Sequence, residues 1–221
     1  TLNTAVENCH VRGVGDDGLA SWSSGFNTGY PMCRNQQFRY NTIECVYRAG
    51  GIGIFGGQGH KVHHNLIRDQ MAGAGIRLNT VFMYSGGVQI GHGFGTDRIK
   101  IYDNTLQRTG NQGLYGETPG AVELETWYND VQNIDFWNIL IDTTRYQGVG
   151  FNRIAAVAGA DFLSLTFSNF TFAGTPVGTK IYDTCTGNAT LDASLSAAGI
   201  INLSSGFTVN APAQLLSLIH I

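Results

Sequence analysis

Two adjacent carboxylates, Asp16 and Asp17, stand between Gly15 and Gly18 at the head of an alternating segment, Leu19-Ala20-Ser21-Trp22. No basic residue separates them, and charged residues make up only 13% of the chain. Two carboxyls held close together and partly out of water oppose each other's ionisation, so one keeps its proton to a higher pH than a free carboxyl would. A protonated and an ionised carboxyl at one pH are what general acid and general base catalysis need. Glycine and aspartate are also the commonest residues of solvent-facing turns, so the pair by itself fits a plain turn as well as a site. Three histidines, His60, His63 and His64, are the other groups with chemistry to offer. On a strand, adjacent His63 and His64 face opposite ways and no carboxylate partner is evident, so no metal site and no cofactor are expected. Cys9, Cys33, Cys45 and Cys185 include no C-x-x-C pair, and their spacing fixes neither disulfides nor metal binding.

The elements that must hold the aspartates are short. Among 221 residues there are 30 glycines and 4 prolines, with abundant Asn and Thr and few Lys or Glu at helical spacing. That composition disfavours helices and favours many short strands joined by tight turns. One unit recurs: an Asn, an apolar position, a turn of variable length, then Gly-apolar-x-apolar. Its anchors are Asn8, Asn41, Asn65, Asn104, Asn138 and Asn169. A unit of that length buries its apolar positions only by stacking on its neighbours, which predicts an all-β, right-handed single-stranded parallel β-helix, a solenoid of about six coils. Stacking aligns Leu19, Ile52, Ile76, Val122 and Val149 into an internal ladder. The alternate positions Ala20 and Trp22, Gly53 and Phe55, Arg77 and Asn79, Glu123 and Glu125, and Gly150 and Asn152 then form the outward floor of a groove. Trp22 and Phe55 offer aromatic faces and Arg77, Asn79 and Glu123 offer hydrogen-bonding groups, which together suit a polysaccharide. On that reading Trp22, Phe55, Arg77, Asn79 and Glu123 bind substrate beside Asp16 and Asp17.

The segments Gly15-Asp16-Asp17-Gly18-Leu19-Ala20-Ser21-Trp22-Ser23, Gly51-Ile52-Gly53-Ile54-Phe55-Gly56-Gly57, 61–69, 102–110 and 142–149 resemble, in this order, the bacterial α-1,3-glucanases and mycodextranases of glycoside hydrolase family 87. The resemblance covers roughly residues 8–151. It implies a parallel β-helix, endo-acting hydrolysis of α-1,3-glucan or mixed α-1,3/α-1,4-glucan with inversion, and Asp16 and Asp17 as the catalytic pair. It also implies a further carboxylate about one coil upstream, before Thr1, so that these residues by themselves are expected to bind weakly and to be nearly inactive. Glu123 stands where that pattern has an apolar or aromatic residue.

Polygalacturonases combine an aspartate pair with G-H-G and R-I-K, present here as Gly91-His92-Gly93 and Arg98-Ile99-Lys100. Both lie too far along the chain from Asp17 for that chemistry, and the acidic groove suits a polyuronate poorly. A non-catalytic glycan-binding shaft of tailspike type is the alternative from another class. The formal net charge of -3, with no Lys or Arg run, gives no footprint for nucleic acid or an anionic membrane. A secreted, monomeric bacterial protein is expected. Residues 1–215 read as one catalytic domain whose pattern weakens after about 188, cut at both ends. The last six, Leu216-Ser217-Leu218-Ile219-His220-Ile221, look like translated sequencing adapter and are set aside.

Overall fold

The computed structural model describes residues 1–23, 31–81, 84–85, 88–89, 91–113, 119–127, 129–153, 160–173, 187–191 and 207–210. These form strands and no helix. Among the described residues the strands pair in parallel except for a small antiparallel ribbon, Tyr84–Ser85 with Val88–Gln89, in the loop that leaves Asn79, and an isolated antiparallel bridge joins Gly73 to Asn111.

The strands fall into two parallel sheets in which each strand pairs with its counterpart one repeat later. The site sheet stacks Leu19–Trp22, Ile52–Phe55, Ile76–Asn79, Val122–Thr126 and Val149–Arg153. Its register pairs Leu19 with Ile52, Ile52 with Ile76, Ile76 with Val122 and Val122 with Val149, the internal ladder expected from the alternation. The long sheet begins as pairs of three-residue strands, such as Lys61–His63 and Leu66–Arg68, which merge further on into continuous strands, Ile99–Thr109, Val131–Thr144 and Phe162–Ala173. Phe38, Val62, Ile101, Phe136 and Phe167 line up as one inward column, and Ile43, Ile67, Leu106 and Ile141 as another. These side chains close the core between the two sheets, where burying apolar area, at roughly 25 cal/mol per Å², drives one coil onto the next.

The asparagine anchors occupy two columns rather than one. Asn41, Asn65 and Asn104 are buried and bonded along the stack: the Oδ1 of Asn65 accepts from the backbone and Nδ2 of Asn41, each at 3.0 Å, and the Oδ1 of Asn104 accepts likewise from Asn65 at 3.1 and 3.0 Å. Asn8, Asn138 and Asn169 belong one position earlier, with Tyr40, His64 and Asp103. All six have positive φ. They form the outer corner, and there the polar chain runs on the surface, from Asn169 to Asn138 to Asp103. Ile139 and Phe170 take the inner position in the later coils, exchanging hydrogen bonds for apolar contact. The stack also continues where the sequence pattern thins: Gly187–Leu191 pairs with Phe162–Ala173, and Phe207–Asn210 with Gly187–Leu191. Residues 216–221 lie outside the described residues.

Candidate active site

The turn carrying Asp16 and Asp17 is docked on the equivalent turn of the next coil. Gly18 donates to the Gly50 carbonyl at 3.0 Å, and Tyr47 donates to the Val14 carbonyl at 3.2 Å. Glycine is needed here for space: a Cβ on Gly15 would stand 2.5 Å from the Tyr47 hydroxyl oxygen, and one on Gly18 would stand 2.7 Å from the Gly51 carbonyl oxygen. Within the turn the two carboxyls part. Asp16 is exposed and its Oδ1 accepts the Asp17 backbone N–H at 2.9 Å. Asp17 turns inward, and its Oδ1 accepts the Gly50 N–H at 2.8 Å. Its other oxygen rests on bare backbone, since a Cβ on Gly53 would lie 2.8 Å from Oδ2. Burial pushes the Asp17 carboxyl up to about 6, against the pull of the Gly50 N–H and the Arg77 charge and with a push from Asp16. Desolvation is the main cause of that rise, and repulsion from Asp16 a lesser one.

A cavity of about 540 Å³ opens over this turn, lined by Asp16, Asp17, Trp22, Phe55, Arg77 and Glu125 together with Arg48, Val81 and Trp127. Trp22 is 42% exposed and stacks on Phe55, with ring centroids 4.3 Å apart and planes 27° apart. Phe55, at 2% exposed, serves chiefly as backing for Trp22. Arg77 reaches along the floor to Glu125, its Nε and one terminal nitrogen both donating to Oε2, at 3.0 and 2.5 Å.

Two of the five residues expected to bind substrate, Asn79 and Glu123, do not line the cavity. Asn79, fully buried, donates its Nδ2 to Glu125 Oε2. Glu123 is 1% exposed; its Oε2 accepts the Gly120 N–H at 2.8 Å and lies where a Cβ on Gly150 would be. Both leave by the outward face, as alternation requires, yet both are buried. Arg48 and Trp127 are cavity residues that the sequence pattern did not single out, and Glu125, which the alternation set on the groove floor beside Glu123 without a substrate-binding role, also lines the cavity. Arg48 and Trp127 come from turns, where alternation gives no signal.

The histidines are arranged differently from the strand expectation. His64 sits at a corner with φ 55°, so the alternation breaks between the two residues. The rings of His63 and His64 come to the same side, Nδ1 to Nδ1 at 2.9 Å. Among the described residues no group of three or more His, Cys, Asp or Glu is placed to hold a metal ion. His60 is buried, its Nδ1 accepting the Gln36 N–H at 3.1 Å, and burial pushes it down to about 4. Arg98 is paired with Asp135 on the long sheet and does not line the cavity. Cys9, Cys33 and Cys45 are free thiols; Cys185 lies outside the described residues.

A family profile described as "alpha-1,3-glucanase catalytic domain D2" matches residues 1–155. Among solved structures, the Agl-KA catalytic domain superposes with a TM-score of 0.74 at 30% identity, over 96% of this chain and 38% of that one. The catalytic unit of a thermostable GH87 α-1,3-glucanase from Streptomyces thermodiastaticus strain HF3-3 gives 0.71 at 24% identity, over 95% and 38%. A GH87 α-1,3-glucanase catalytic domain with an aspartate replaced by alanine, in complex with tetrasaccharides, gives 0.77 at 21% identity, over 95% and 41%. The chain thus spans about two fifths of the length of each of these. No curated protein sequence gives a significant match.

Proposed function

The chain belongs to the α-1,3-glucanase catalytic domain family, glycoside hydrolase family 87, and on that footing we propose that the protein it comes from cleaves α-1,3-glucan internally, with inversion, using Asp17 as general acid and Asp16 as general base. The observation that carries this reading is the divergence of two neighbouring carboxyls at one cavity: Asp17 cradled on Gly50 and Gly53 and pushed up to about 6, Asp16 exposed at the mouth. Asp17 holds a proton in mildly acid solution and can pass it to the glycosidic oxygen as that bond breaks. Asp16 can take a proton from the water that attacks the opposite face of the sugar, after which solvent restores both groups. Inversion needs room for that water, roughly 6.5–9.5 Å between the carboxyls, and their separate directions out of the turn favour it.

Trp22, backed by Phe55, offers a sugar-stacking surface beside the acid, and Arg77 offers a polar partner for hydroxyls. Structural neighbours described in complex with tetrasaccharides and with nigerose support an oligosaccharide as the ligand. A polymeric substrate also fits secretion, because the polymer does not enter the cell. The coils are taken to wind right-handed, the hand that parallel crossover connections adopt. Proton NMR of the first products tests the reaction: from an α-glucan, β-anomeric ends should appear before mutarotation, and early α-anomeric ends would overturn the mechanism.

A further inference from the structure

Arg77 is a cation set into the floor of the site, and two carboxylates of that site, Asp17 and Glu125, compete for it. The point that a Cβ on Gly50 would occupy lies 3.3 Å from Asp17 Oδ1 and 3.6 Å from Arg77 Cβ, so the arginine stem and the Asp17 carboxyl flank one methyl-sized gap. The guanidinium nevertheless turns away. Its Nε and one terminal nitrogen both go to Glu125 Oε2, and among the described residues no ion pair joins it to Asp17. Asn79 Nδ2 donates to the same oxygen, and Asn152 Nδ2 donates to Oε1 at 3.4 Å, so Glu125 is itself held from two coils. Four N–H groups converge on a carboxylate that is only 4% exposed at its side chain.

We propose that Glu125 is a positioning residue: by drawing the Arg77 guanidinium onto its own Oε2, it keeps that cation from pairing with Asp17 and so leaves Asp17 able to carry the proton that the reaction consumes. This rests on the reading of Asp17 as the general acid. A free arginine beside a carboxylate favours the ionised form and lowers its pKa by about 1–3 units when the two pair. An acid paired in that way would be spent before substrate arrived. The groups that face Asp17 are Asp16 in its own turn, the Gly50 N–H and Arg48 from the next coil, and Arg77 from the coil beyond. Glu123 acts on Arg77 from the following coil. Of these, Arg77 is the cation that pulls on Asp17, and Glu125 is the group that redirects it. Burial works against the charge on Arg77, yet Glu125 foremost, with Glu123 and Asp17, holds it protonated, so the cation persists whichever carboxylate it serves.

Two variants separate the idea from a purely structural role. Glu125→Gln keeps the side-chain shape and removes the charge; Arg77→Met keeps the stem and removes the cation. The first measurement is the carboxyl carbon-13 NMR titration of Asp17 in this chain. Against a wild-type midpoint near 6, Glu125→Gln should lower the midpoint by about 1 unit and Arg77→Met should raise it. The second is the pH dependence of kcat/KM of the glucanase containing the chain, whose alkaline limb should move the same way. An Asp17 midpoint that stays put or rises in Glu125→Gln, with Arg77→Met also unmoved, overturns the positioning role. Midpoints that move as expected while the alkaline limb stays fixed would confirm the positioning role and refute Asp17 as the acid.

Discussion

Replacing Gly53 by Ala tests the cradle that gives Asp17 its character. The backbone at Gly53 has no positive φ, so alanine is sterically permitted by the main chain and the effect comes from the added methyl alone. That Cβ would stand 2.8 Å from Asp17 Oδ2, 3.1 Å from its Cγ and 2.6 Å from Phe55 Cε2. The carboxyl must leave the cradle, giving up the 2.8 Å bond from Gly50 N–H and moving toward water. Overpacking of this kind costs about 1–3 kcal/mol, which for a domain of this size lowers the melting temperature by about 5 °C. A solvated Asp17 loses the desolvation that holds it near 6, so it ionises at lower pH and no longer donates at the working pH. General acid catalysis contributes roughly 10²–10⁴ in rate, so kcat of the glucanase containing this chain should fall at least about a hundredfold, with the alkaline limb shifted to lower pH. Gly51→Ala is the control: its Cβ would stand 2.4 Å from Ile67 Cγ2 and 2.7 Å from the Gly75 carbonyl oxygen, destabilising the core without meeting Asp17. Wild-type kcat and an unmoved alkaline limb in Gly53→Ala, with only the melting temperature lowered, would refute the argument.

Asp16→Asn and Asp17→Asn should each reduce turnover at least about a hundredfold while oligosaccharide binding, read by calorimetry, survives; near-normal turnover in both would make the pair an ordinary turn. Asn65→Ala removes an Oδ1 that accepts two bonds and an Nδ2 that donates to Phe38 and Asn104. It strands buried partners, so urea unfolding should show a loss of about 3 kcal/mol or more, whereas exposed Asn138→Ala, at a left-handed corner, should lose less, about 1 kcal/mol. Trp22→Ala should raise KM about fivefold with a smaller effect on kcat, because a stacking surface worth about 1 kcal/mol is lost. Stability against pH carries two opposed contributions. The Asp17 carboxyl is raised from 3.8 to about 6, so its contribution, about 3 kcal/mol, is full below pH 4 and disappears as pH rises through 6. His60 is lowered from 6.5 to about 4, so its contribution, of similar size, is full above pH 6.5 and is lost as pH falls through 4. Chemical denaturation between pH 4 and 6.5 should therefore show a nearly flat profile for the native sequence, and one rising with pH in Asp17→Asn.

The internal ladder of Leu19, Ile52, Ile76, Val122 and Val149 and the aspartate turn at its first rung were legible in the sequence. Both rest on local rules, since a strand alternates every two residues and a glycine before each apolar pair marks where it begins. The same alternation placed Trp22, Phe55 and Arg77 at the cavity. It failed wherever a corner residue takes positive φ, because one left-handed residue flips the phase of the residues after it. That is why the asparagine anchors divide between a buried column and an exposed one, and why His63 and His64 face each other. Alternation also says which face a residue leaves by but not what lies above that face. Asn79 and Glu123 leave by the outward face and are nevertheless sealed in, while Glu125 two residues on reaches the cavity and holds Arg77. Only the stacked coils decide that, since the partners that enclose one side chain and leave another at the cavity come from neighbouring coils, and cross-coil contacts depend on stacking register, which no single repeat contains.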